Sequence, residues 1–195
     1  VPEDRQRLYR RFPFASLSCN GRLVTLSTPG LLSDAADIED FVDLAGAVAQ
    51  HGVAELERLT EALPNARYAP PKGPWKLRTP PRLEVDSGAG PIVVTFTHLS
   101  SPKPLGVRMS IAPRRDLGAF SVDLIDGRIE GDPPRGLVPD DAREALGPIG
   151  RATLSGSPDR IRLSFPAVPA EDEARAAVRL LAGVAGDRRT VGAFR

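Results

Sequence analysis

Shifting the chain by 137 positions lays residues 1–49 on residues 138–186 without a gap. A duplicated segment commits both copies to one local structure, so this correspondence constrains the fold more than any single motif. VPEDRQRLYRRFPFASLSCNGRLVTLSTP lies over VPDDAREALGPIGRATLSGSPDRIRLSFP. Twelve pairs are identical, including Val1/Val138, Pro2/Pro139, Leu17/Leu154, Ser27/Ser164, Pro29/Pro166 and Gly46/Gly183. Average composition alone gives roughly three or four.

The two copies also obey the same local physics. Pro2 and Pro139 each suit a first helical position, where a missing N–H costs nothing. The acids that follow, Glu3-Asp4 and Asp140-Asp141, favour the positive end of a helix dipole. Each copy then predicts a hairpin: Asn20-Gly21 is a type I′ turn signal in the first, and Ser157-Pro158-Asp159 turns the second. The returning strands alternate with period two, with Val24 and Leu26 over Ile161 and Leu163, and Pro29 and Pro166 end them. A helix follows in both, started by Ser33-Asp34 in one and by Pro169 before Glu171-Asp172-Glu173 in the other. Its apolar stripe is Ile38, Phe41, Val42, Ala45 and Val48 in the first copy, and Val178, Leu181, Ala182 and Ala185 in the second.

Between the copies, His51-Gly52 is expected to break the first helix, with a second helix over 53–63 carrying Val53, Leu56, Leu59 and Leu63. RYAPPKGPWKLRTPPR, residues 67–82, holds five prolines and five basic residues with no acid, which predicts an extended connector. Strand signals follow at 82–86, 91–99, 107–112 and 119–125, and Asp126-Gly127 turns the chain into 128–130. Short strands joined by turns pair antiparallel, since parallel neighbours need long crossovers. The expected fold is α+β: an antiparallel sheet with helices on one face and the two modules related by a pseudo-twofold. The segments are a first module at 1–66, the connector at 67–82, a β-rich segment with the second module at 83–186, and a tail at 187–195.

Composition narrows the function classes. The formal net charge is +1, so no global field favours nucleic acid as a partner. Cys19 is the only cysteine, which excludes an intramolecular disulfide and a multi-cysteine zinc site. No apolar run reaches the roughly 18–20 residues that span a bilayer. The duplicated pattern resembles bacterial proteins in which such modules follow a membrane anchor. The expectation is therefore a cytoplasmic protein or the soluble domain of an anchored one, with an anchor or a strand set upstream of Val1.

Candidate sites are few. His98 ends a strand before Ser100 and Ser101, where it could serve as a general base with a serine nucleophile. A strand-end histidine satisfied by backbone is the simpler account. Lys72, Trp75, Lys76 and Arg78 interleave cations with an aromatic ring, which suits an anionic or single-stranded partner, or a polyproline-type contact with a protein. A stiff basic linker lying against acidic Asp34, Asp37 and Asp40 explains them as well. His51 suits a helix end and Cys19 a hairpin tip. GAGP at 88–91 joins strands and lacks the lysine of a phosphate loop. No cofactor or metal motif is present. The sequence favours a non-catalytic binding or assembly module with a protein partner or a second copy of itself. The alternative is a small-molecule binder or enzyme using a groove near His98.

Overall fold

A computed structural model describes residues 10–12, 16–20, 23–27, 34–69, 82–97 and 105–186. The chain forms a hairpin of β1 (Ser16–Asn20) and β2 (Leu23–Ser27), then a long helix α1 (Ala35–Ala62). Strands β3 (Ala66–Ala69), β4 (Arg82–Asp86), β5 (Pro91–Thr97), β6 (Gly106–Ile111), β7 (Phe120–Ile125) and β8 (Arg128–Glu130) follow. A 3₁₀ helix (Asp140–Leu146), strands β9 (Arg151–Ser157) and β10 (Arg160–Phe165), and helix α2 (Glu171–Ala185) complete the described part. The architecture is α+β with an antiparallel sheet, as short strands and local turns require.

Eight strands make one sheet in the order β3-β4-β5-β6-β10-β9-β7-β8, while β1 and β2 pair only with each other among the described residues. β3 to β6 form a meander, and β7 with β8 forms a hairpin whose turn, Asp126-Gly127, takes φ of 47° and 74°. Two successive positive φ values are the type I′ geometry that matches strand twist, and Asp-Gly is a pair that tolerates it. The last strand, β10, joins these two sets by pairing with β6 on one side and β9 on the other.

Strand alternation separates two faces. Leu83, Val94, Met109, Leu163, Leu154 and Val122 follow one another across six strands as a buried row. Each such side chain contributes about 1.5–3 kcal/mol relative to exposure. Helix α2 covers this row over β6 and β10, the 3₁₀ helix packs beside it, and the C-terminal end of α1 adds Leu59 and Leu63. Close approach is built in by Gly183, where a Cβ would lie 2.5 Å from that of Ala142 on the 3₁₀ helix. Two arginines tie α1 to α2: Arg175 Nε donates to the Ala62 carbonyl at 2.7 Å, and Arg58 to that of Pro169 at 2.9 Å.

The structure corrects three expectations. First, α1 runs unbroken for 28 residues through His51 and Gly52, about 42 Å at the helical rise. One interior glycine costs only about 1 kcal/mol, which flanking helical hydrogen bonds and the docked C-terminal end outweigh. Second, Arg67–Ala69 lie in β3 at the sheet edge, because the prolines begin only at Pro70. Third, Pro139 is the residue before the helix, and the helix is 3₁₀. Asp34 caps α1 as anticipated, its carboxylate accepting from the Ala36 N–H.

The N-terminal half of α1 is held by local contacts. The Arg11 guanidinium bridges Asp37 and Asp40, both at 2.6 Å, and the rings of Phe12 and Phe41 meet edge to face at 4.9 Å. Ile38 and Val42, by contrast, are 47% and 61% exposed. No helix among the described residues is long and apolar enough to cross a membrane.

Candidate functional site

The face of the sheet opposite the helices carries the alternate residues of each strand. One row across it reads Thr95, Arg108, Ser164, Thr153, Asp123, Glu130. The next reads Glu84, Val93, Ser110, Arg162, Ser155, Ser121. These residues are half-buried or exposed. Hydroxyls and guanidiniums thus line a surface whose backbone is fixed by ladder hydrogen bonds on both sides, which is a rigid platform for polar recognition.

Toward one end of strands β5, β6, β10, β9 and β7 on this face lies a depression of about 470 Å³, bordered by Thr97, Arg108, Arg151, Thr153 and Ser164 with Phe165 among its apolar lining. That volume is in the range of sites that hold small ligands or a few side chains. Beside it three strands come close at Gly106, where a Cβ would meet Thr97 Oγ1 at 2.5 Å and the Phe165 carbonyl at 2.6 Å. Asp123 also borders it, but its carboxylate already accepts from the Thr153 hydroxyl at 2.8 Å.

A second of the three acids in these rows is likewise engaged. Glu84 accepts from Arg82 at 2.9 Å and from Arg67 at 2.9 Å. The Arg82 hydrogen bond, aided by Arg67, holds the Glu84 carboxyl below the usual carboxylate range. Arg108 and Arg151 have no such carboxylate among the described residues; Arg162 has Asp159 nearby, and its Nε is buried without a hydrogen-bond partner there. Around the depression the face therefore presents the guanidiniums of Arg108 and Arg151 on a hydroxyl-rich ground.

Of the residues singled out from sequence, Lys72, Trp75, Lys76, Arg78 and His98 lie outside the described residues. Thr97, the residue before His98, borders the depression. Cys19 pairs with Val24 in the first hairpin and His51 lies within α1. Among the described residues no three His, Cys, Asp or Glu side chains gather as a metal site would need. Sequence reading passed over Arg108, Arg151 and Arg162. Their only signal was their place at alternate positions of strands, and such a residue reads as ordinary surface until the uncovered face is known. No protein-family model, curated protein or solved structure matches the chain.

Proposed function

We propose that the protein is a binding or assembly module that presents the face of its eight-stranded sheet that no described element covers to an acidic segment of a protein partner. The observation that carries this reading is charge complementarity. Arg108 and Arg151 flank a depression whose own carboxylate is occupied by Thr153, so the available recognition groups are cationic and hydroxylic. A glutamate or aspartate side chain entering there meets guanidinium forks, which bind carboxylates in bidentate fashion. The test is fluorescence anisotropy with a labelled octaglutamate peptide and the full chain. The reading predicts saturable binding that weakens with salt and is lost in Arg108→Glu/Arg151→Glu. Equal affinity in the charge-reversed protein overturns it.

A second reading places a small-molecule substrate or ligand in the same depression, with His98 as its polar partner. It is favoured by the volume of the depression, which is in the range of small-ligand sites. An unchanged activity and ligand profile in His98→Ala removes it.

The module itself is, in this reading, an internal duplicate. Subtracting 137 from the β9–β10 pairs Ser157–Arg160, Leu154–Leu163 and Thr153–Ser164 gives 20–23, 17–26 and 16–27, which are the pairs of the β1–β2 hairpin. The same subtraction carries buried Ile149 and Val178 onto Phe12 and Phe41, which pack together beside that hairpin's helix. The division into modules at 1–66 and 83–186, related by a pseudo-twofold, rests on the same correspondence.

A further inference from the structure

On the helix side of the molecule, a second hollow of about 430 Å³ lies between the loop after β6, the loop before the 3₁₀ helix, and the end of α2. Its lining includes Arg114, Arg115, Arg135 and Arg143 against a single acid, Asp140. Arg115 serves the fold, since its guanidinium donates to the carbonyls of Val184 at 3.0 Å, Gly136 at 3.1 Å and Leu137 at 2.7 Å. That arrangement binds the end of α2 to the neighbouring loop and uses three of the five N–H donors of the group. The backbone N–H of Arg114 adds a bond to the Ala185 carbonyl at 3.0 Å.

The other three arginines brace nothing comparable. Arg143 reaches Asp140 at 3.3 Å through one nitrogen, and both side chains are largely exposed, a geometry that contributes little. Arg114 and Arg135 have no carboxylate or carbonyl for their side chains among the described residues. Four guanidiniums bordering one hollow with one carboxylate repel one another, and an anion in the hollow relieves that repulsion. Guanidinium donors match the oxygens of a phosphate. We infer that this hollow is a binding site for a compact, multiply charged phosphate group of the pyrophosphate class, with Arg114, Arg135 and Arg143 as its ligands and Arg115 as the post that holds its walls.

The site lies on the opposite side of the sheet from the proposed recognition face, so the two stand or fall separately. Isothermal titration of the full chain with inorganic pyrophosphate, and with sulfate as a less charged control, tests it. The expected result is saturable one-to-one binding, tighter for pyrophosphate than for sulfate, that falls about tenfold or more in Arg114→Gln/Arg135→Gln, as the loss of charge-assisted bonds implies. Both arginines are exposed, so this variant is expected to keep its circular dichroism and melting temperature, and to bind the octaglutamate peptide as before. Absence of saturable binding, or an unchanged affinity in the double variant, overturns the assignment.

Discussion

At the scale of single residues, two contacts can be tested directly. Phe120 pairs across the sheet with Gly156, and a Cβ at 156 would fall within its ring. The ring lies over the glycine and shields a stretch of backbone that has no side chain of its own, a device used to keep strand glycines in a sheet. Gly156→Ala is therefore expected to destabilise the protein by about 1–3 kcal/mol, the usual cost of overpacking. Denaturant unfolding checks this, and most of the penalty should vanish in the Phe120→Ala background. Glu84 supplies a second test. Its carboxyl is held below the ordinary range by Arg82 first and Arg67 second, so its folded-state pKa is lower than its unfolded one. The associated stability is complete above the unfolded pKa and is lost as pH falls through the folded value. Carboxyl titration by NMR should return Glu84 toward the ordinary glutamate range in Arg82→Ala, while an unmoved titration would assign the shift elsewhere.

At the scale of elements, β10 decides the fold. It is the last described strand and the one that joins the β3–β6 meander to the β7–β9 set. Leu163 at its centre is fully buried between Met109 and Leu154. Leu163→Ala should cost about 2–5 kcal/mol. Amide exchange should show β6, β10 and β9 slowest and the edge strands β3 and β8 fastest, with the variant accelerating both halves together. Exchange that stays slow in β4 and β5 while β7 and β9 open would mean that the halves fold independently. Much of this level is legible in the sequence. The strands at 82–86, 107–112 and 119–125 stand out because apolar residues alternate and Gly or Pro turns bound them. The unbroken α1 is not legible, since Gly52 is a local stop signal that tertiary packing of Leu59 and Leu63 overrides. Nor is β3, whose few residues precede a proline run. The strand order is hidden for another reason: β10 pairs with β6 across some fifty residues, and no local pattern records such a pairing.

At the scale of the whole molecule, a near-neutral total conceals an uneven distribution of charge. The net charge of +1 reads as indifference to anions, yet two groups of arginines lie in hollows on opposite sides of one sheet. Neither group is legible in the sequence, because each is gathered from segments far apart in the chain. Arg108 and Arg151 come from β6 and β9, and Arg114 and Arg135 from loops on either side of the β7–β8 hairpin. The candidates that did stand out owed their prominence to local composition in 67–82 and to the rarity of histidine. The sheet face that no described element covers is the proposed recognition surface. The most direct measurement is a two-dimensional NMR titration of the full chain with the octaglutamate peptide. Shifts concentrated at Thr97, Arg108, Arg151, Thr153 and Ser164 are the predicted result. Shifts confined to the helix side, or an absence of shifts at peptide concentrations that saturate the anisotropy signal, would contradict it.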